Sequence, residues 1–331
     1  MILPAPAATS RLIQLSRYGD ATQLQPAVRV LAPLADTAVR VRQQVAGVNY
    51  VDVYHRQGRY PLPLPGIPGV EGSGVIEAAG ARVATLQVGQ RVAWVARSGG
   101  GYAEHVDLDA ARAIVLPDEV SLEQAGAGML RSMTSYLLLE HYARLRRGQT
   151  VLVHAAAGGL GLLLTQWAKG LGARVIGTVS SDAKAALAQA HGLDHALDYR
   201  NEDVVAAVRA LTDGEGADVV IDGIGGQHVL RSIEATRSGG MAISIGAVSG
   251  DGAPGEALAA AQARGVLLER PSILGFTGDV RHYRIAADAA LARLRAGLRV
   301  AIADRLPLED AAKAHRLLEA GAVQGALLLT P

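Results

Sequence analysis

The stretch Val153–Gly161, VHAAAGGLG, decides the fold. It closes the apolar run TVLVH and opens LGLLLTQWAKGLG, whose apolar positions repeat at the spacing of a helix packed on a sheet. Strand, glycine bend and helix in that order form a dinucleotide-binding unit. In such a bend Gly158 lets the backbone approach a pyrophosphate, and Gly161 lets the helix lie close to the strand. Free amides at the helix start, around Gly159 and Leu160, point at the phosphates. The usual first glycine is replaced by Ala156. That position needs only a tight turn, which alanine supplies if its φ stays negative.

Outward from the bend the pattern is regular. TVLVH is followed by a helix over 159–171, then by the run ARVIGTV and a helix beginning near Asp182. HALDY, a helix over 202–212, ADVVIDG, a helix near Ile233 and GGMAISIG complete the series. Short apolar runs separated by helices imply a parallel sheet covered on both faces, a doubly wound nucleotide-binding architecture.

The end of the second strand selects the nucleotide. NAD sites present an acid about 20 residues beyond the bend to hold the ribose hydroxyls. Here GTVSSDAK offers Ser180, Ser181 and then Lys184, hydroxyls and a cation suited to a 2′-phosphate, while Asp182 reads as a first-turn complement to the helix dipole. NADPH is the expected cofactor.

Composition bounds the rest. The chain has 331 residues, half of them apolar, a formal charge of +1 and no cysteine. The length favours two domains. Balanced charge without a basic run or a basic and aromatic strip argues against nucleic acid. No apolar run of about 18 residues and no amino-terminal leader pattern is present, so a cytoplasmic rather than a membrane or secreted protein is expected. Without cysteine there is no disulfide, thiolate nucleophile or thiolate-held metal.

The first third has a different texture. VRVLAP, AVRVRQQVAGVN and GVIEAAGARVATLQVGQRVAWV read as strands and turns, and YPLPLPGIPGV carries too many prolines for a helix. SLEQAGAGMLRSMTSYLLLEHYARL then reads as a long helix, with Ser121 as its cap and Glu123 in its first turn. Near the end, HYRIAADAALARLRAG is helical and GALLLTP strand-like.

AGVNYVDVYHRQGRYPLPLPGIPGVEGSGVI (46–76), GGGYAEHV (99–106), the stretch 153–179 and LDYRNEDV (197–204) together resemble the quinone oxidoreductase, zeta-crystallin-like branch of the medium-chain dehydrogenase/reductase superfamily. The resemblance runs from about Arg11 to Pro331. It implies a Rossmann NADP(H)-binding domain over 130–268 and a discontinuous, mainly β, GroES-like catalytic domain over 1–129 and 269–331. The zinc enzymes of that superfamily have a histidine before the glutamate of this segment, where this chain has Val70 before Glu71. With no cysteine as well, a zinc-independent reductase is implied, acting on an electron-poor acceptor that needs no Lewis acid.

Carried over from the family's motifs are Asn49, Tyr54, Tyr60 and Thr134 around the reacting groups. Asn49 would hold a carboxamide or substrate oxygen, and the two phenols would stack on a flat acceptor and donate to its developing oxyanion. Tyr199 would pack near the adenosine half. Gly246, in the stretch Ser244–Gly250, and Gln324 with Gly325 would approach the cofactor. Asp52 and Arg56 are expected to pair structurally.

The implied activity is NADPH-dependent reduction of a quinone by hydride or one-electron transfer. The alternatives are reduction of an enone or enoyl double bond, and a non-catalytic NADPH-binding protein. GVLLERPSIL, with Pro271, reads as an edge strand that pairs with its copy in a homodimer. His191 and His195 have helical metal spacing, but Gly192 is expected to end the helix between them, and EGSGV lacks the spacing of a nucleophile elbow.

Overall fold

The computed structural model describes residues 8–246 and 254–331. The chain forms two compact units, one running to Leu130 and resuming at Thr277, the other spanning Arg131–Phe276. The first opens with β1 (Thr9–Leu15) and β2 (Leu24–Val30), an antiparallel pair, followed by β3 (Ala38–Val48). A helix α1 (Tyr50–Gln57) comes next, then β4 (Glu71–Ala79), β5 (Arg91–Val95), β6 (His105–Asp109) and β7 (Ile114–Val115).

The reading of the first third as strand and loop therefore misses α1. Its signals are local: Asn49 caps the helix, its amide donates to the Asp52 carboxylate at 2.8 Å, and Gly58 ends it with φ of 76°. The proline-rich segment is free of helix, as expected.

The long helix expected after Ser121 is broken. It runs as α2 (Leu122–Gly126) and α3 (Met129–Tyr136), and continues as a π-helical turn over Leu137–Tyr142. The Ser121 cap is in place, its hydroxyl accepting from Gln124 N at 3.1 Å.

The second unit contains β8 (Thr150–Val153), α4 (Gly159–Gly170), β9 (Arg174–Val179), α5 (Asp182–Ala190), β10 (His195–Asp198), α6 (Val204–Ala210) and β11 (Ala217–Asp222). These lead on to α7 (His228–Ala235), β12 (Thr236–Ser244), α8 (Pro254–Ala263), β13 (Leu267–Glu269) and the single turn α9 (Ile273–Phe276). The six strands are parallel in the order β10-β9-β8-β11-β12-β13. β8 is buried along its whole length, as the uninterrupted apolar run requires. The chain steps outward from β8 to β10 and then returns to β8's other side with β11. The order therefore reverses at the carboxyl ends of β8 and β11, where ligands bind in open sheets of this kind. β13 forms one edge.

The chain re-enters the first unit with α10 (Val280–Arg295), β14 (Ile302–Pro307), α11 (Ala311–Glu319) and β15 (Ala326–Thr330). β15 pairs with β3, Leu328 opposite Gly47, so the two ends of the chain share one mixed sheet in the order β14-β15-β3-β4-β5-β7, with β6 also on β3. Its core joins Ile13, Leu15, Val48, Leu306 and Leu329, drawn from both ends.

Candidate functional site

The bend leaves β8 at the point of reversal. Gly158 caps α4, and the first turn leaves the amides of Gly159, Leu160 and Gly161 without intrahelical acceptors. A β-carbon on Gly161 would collide with the carbonyl of Ala155 and come within 2.8 Å of Ala156 Cα, so helix and bend touch backbone to backbone. Ala156 keeps a φ outside the left-handed region. That conformation falls one residue earlier, on Ala155 with φ of 54°. The methyl of Ala156 is fully buried and faces Gly177 of β9, where a β-carbon would lie 2.5 Å from it. Glycine on the neighbouring strand thus makes room for alanine in the bend.

At the end of β9 the Ser181 hydroxyl caps α5 by accepting from Lys184 N at 3.4 Å, and Lys184 Nζ donates to Ser180 Oγ at 3.1 Å. The three residues chosen from sequence meet. Asp182 is exposed in the first turn of α5, in the dipole-complement position. Tyr199 follows β10, half exposed, its amide donating to Val179 O at 3.3 Å. This cluster suits the doubly charged 2′-phosphate of NADPH.

Two further loops end here. The Asp222 carboxylate terminates β11 and accepts from the amides of Ile224 at 2.7 Å and Gly225 at 3.1 Å. Gly246 lies so close to Gly223 that a β-carbon would overlap its carbonyl. Among the described residues Ser244 Oγ is buried without a hydrogen-bond partner. Residues 247–250 of the expected stretch lie outside the described residues.

Behind the bend stands a set that the sequence reading passed over. His154 is buried, its Nδ1 3.2 Å from Thr178 Oγ1 and its Nε2 3.3 Å from Ser232 Oγ. Ser232 donates to Asp222 Oδ2 at 3.0 Å, and His228 Nδ1 lies 3.2 Å from the same oxygen. Burial, with His228 beside it, drives the His154 pKa down to about 3. For Asp222 burial acts upward, but hydrogen bonds and the two histidines outweigh it and hold the carboxyl well below its usual range. The signal in the sequence was a polar residue ending each buried strand, His154, Ser180, Asp222 and Ser244.

In the first unit α1 carries the expected side chains. Asn49 is buried, and its Nδ2 donates to Glu71 Oε1 at 2.8 Å while Glu71 Oε2 accepts from Leu130 N at 2.8 Å. Those bonds fix the orientation of the amide. The rings of Tyr54 and Tyr60 meet edge to face at 5.4 Å, Tyr54 buried and Tyr60 39 % exposed. The Arg59 guanidinium sits 5.7 Å from the Tyr54 ring. Thr134 is buried on α3, and Gln324 is exposed just before β15.

Arg56 makes a bidentate pair with Glu319, 2.6 and 2.9 Å, a partner the sequence did not offer; Asp52 accepts from Asn49 N and, at 3.1 Å, from the Tyr102 hydroxyl. Tyr102 Oη in turn lies 3.0 Å from His315 Nε2. Elsewhere His191 caps the end of α5 while His195 begins β10, so this pair shares no helix face.

Comparisons with known proteins show the family. Residues 35–118 match the alcohol dehydrogenase GroES-like domain and residues 159–293 the zinc-binding dehydrogenase domain. The quinone oxidoreductase of Pseudomonas aeruginosa is 38% identical over 97% of this chain and 100% of its own length. The chain belongs to the quinone oxidoreductase branch of the medium-chain dehydrogenase/reductase superfamily. The crystal structure of Escherichia coli quinone oxidoreductase complexed with NADPH superposes with a TM-score of 0.92 at 33% identity, over 98% of this chain and all of that one. A 2-haloacrylate reductase from a Burkholderia species is 34% identical over 88% of this chain and 90% of its own length. The branch thus combines a Rossmann domain with a GroES-like domain. Among the described residues no group of three or more metal-ligating side chains occurs, and no helix is long and apolar enough to cross a membrane.

Proposed function

We propose that the chain catalyses NADPH-dependent, zinc-independent reduction of quinones by hydride transfer, with one-electron steps as a variant of the same chemistry. The observation that carries the reading is the Ser180–Lys184 pair, where an acid would select NAD, beyond a glycine bend whose backbone leaves no room for a side chain at Gly161. Identity to quinone oxidoreductases over nearly the whole length supports it. Bound NADPH supplies the reducing equivalent; the chain binds, orients and stabilises charge.

In this reading Ala156, Gly158, Gly159, Leu160 and Gly161 hold the pyrophosphate, and Ser180, Ser181 and Lys184 meet the 2′-phosphate. Tyr199 packs on the adenosine half. Gly246, Gln324 and Thr134 line the nicotinamide. Asn49, its amide nitrogen engaged by Glu71, offers its oxygen to the carboxamide, and Tyr54 and Tyr60 stack on the acceptor and donate to its oxygen. The proton comes from Tyr54 or solvent. We assign catalysis to 1–129 with 269–331 and cofactor binding to 130–268.

The similarity to a 2-haloacrylate reductase favours reduction of conjugated carbon–carbon double bonds as the second reading. Steady-state NADPH oxidation with 1,4-benzoquinone, 9,10-phenanthrenequinone and a simple enone separates the two. Turnover with the quinones is expected to dominate; tight binding with no turnover on any acceptor would instead make the chain a non-catalytic nucleotide-binding protein. We further propose a cytoplasmic homodimer joined along β13, an edge strand with Leu267 52% exposed. Sedimentation at the monomer mass would contradict the dimer.

A further inference from the structure

We propose that His154 is a positioning residue for the nicotinamide cofactor: it holds the glycine bend in shape through Thr178 and ties it to the Asp222 loop through Ser232. The inference rests on the cofactor reading above and adds to it a residue that touches no phosphate.

The bend contains an alanine in a backbone region that alanine adopts only where its surroundings hold it, Ala155 with φ of 54°. Three bonds do so. Ala155 N donates to Thr178 Oγ1 at 3.1 Å, Ala156 N to Thr178 O at 3.0 Å, and Gly158 N to Ala155 O at 2.9 Å. The first depends on where the Thr178 hydroxyl points its own proton. His154 Nδ1, 3.2 Å away, is the acceptor that leaves the oxygen's lone pairs facing Ala155.

That arrangement assigns every proton in the chain. Ser232 donates to Asp222 Oδ2, so its oxygen receives the His154 Nε2 proton, and the imidazole is neutral, accepting at Nδ1 and donating at Nε2. Asp222 Oδ1 then gathers the Ile224 and Gly225 amides. The chain ends at both sides on backbone amides of loops, one after β8 and one after β11. His228, whose ring stands edge-on to His154 at 4.3 Å, closes the remaining position on Asp222. A histidine serving only to fill space needs neither bond, and His154, Thr178, Ser232 and Asp222 are all buried.

The test uses the full chain and reads equilibrium binding of NADPH and NADH by fluorescence titration. His154→Phe keeps a ring and removes both nitrogens. Its Kd for each nucleotide is expected to rise about tenfold, with the NADPH-to-NADH preference unchanged. Adding Ala155→Gly, for which the left-handed backbone carries no penalty, is expected to recover most of that loss. Ser232→Ala cuts the chain with little change of volume and carries the test if His154→Phe does not fold; about a threefold rise is expected.

Parent-like affinity in a folded His154→Phe or Ser232→Ala protein, with or without a lower melting temperature, would overturn the proposal. So would a loss confined to NADPH, or one that Ala155→Gly leaves untouched. A parent chain that takes up neither nucleotide would overturn the cofactor reading beneath it.

Discussion

His154 in the parallel-sheet unit and His315 in the mixed-sheet unit are both buried, and in each case burial drives the imidazole pKa down from 6.5 to about 3. Each is neutral at working pH and so both accepts and donates. What they connect differs. The His154 chain runs through two hydroxyls and ends on loop amides around a candidate phosphate-binding bend. The His315 chain runs from Tyr102 and Asp52 to Arg56, the last two on α1, and the buried Arg56 guanidinium pairs with Glu319 on α11. One shapes a loop; the other fastens two helices. Damage to the first belongs in nucleotide affinity, and damage to the second in stability.

The largest break expected is at the ion pair. Glu319→Gln leaves the Arg56 guanidinium, 2 % exposed, without its counter-charge, and stripping the partner from a buried charge costs about 3 kcal/mol even where that partner, like Glu319, is itself exposed. Urea unfolding measures that loss, and the folded variant should keep its nucleotide Kd. A comparable fall in nucleotide affinity would erase the distinction between the two networks.

Next in size is Lys184→Glu, which sets a negative charge against the 2′-phosphate. About 30-fold weaker NADPH binding is expected, with less than about threefold change for NADH. Equal loss for both nucleotides would contradict the assignment of Ser180 and Lys184.

The pH dependence sharpens the likeness of the two histidines. Each binds a proton near pH 6.5 when unfolded and only near pH 3 when folded, so the unfolded state holds the extra proton between those limits. Stability is full above about pH 6.5 and declines as the pH falls, by up to about 1.4 kcal/mol per pH unit for each group. Unfolding free energies at pH 7, 6 and 5 should show the decline, and His315→Gln should flatten it by about one proton. An unaltered slope in that variant would mean that His315 is protonated in the folded protein.

Smallest is Tyr54→Phe. Turnover with a quinone should fall about fivefold with nucleotide affinity unchanged if the phenol donates to the acceptor. An unchanged rate would return Tyr54 to packing against Tyr60.

The two units also differed in what their sequences disclosed. In the second, each buried parallel strand is an unbroken apolar run and each helix a periodic one, so β8 to β12 and α4 to α7 were legible to within a few residues. The bend was legible too: Ala156 keeps a φ outside the left-handed region, as its reading required, while the left-handed Ala155 beside it had no signal in the sequence. In the first unit α1 went unread. Eight residues hold too little periodicity, and its evidence was the cap at Asn49 with Asp52. α11 and β14 were missed likewise: they are stabilised by residues from the other end of the chain, as Arg56 with Glu319 illustrates, and local sequence carries no trace of such partners. Asn49, Tyr54 and Tyr60 were named through family resemblance alone. The His154 chain was overlooked because its members are single polar residues separated by up to 78 positions.

The central claim is that a glycine bend and a serine–lysine pair seize a phosphorylated dinucleotide. Titrating the full chain with NADPH and with NADH, followed by nucleotide fluorescence, tests it most directly. Saturable uptake of both, tighter for NADPH, is the predicted result; no saturable uptake of either would contradict it.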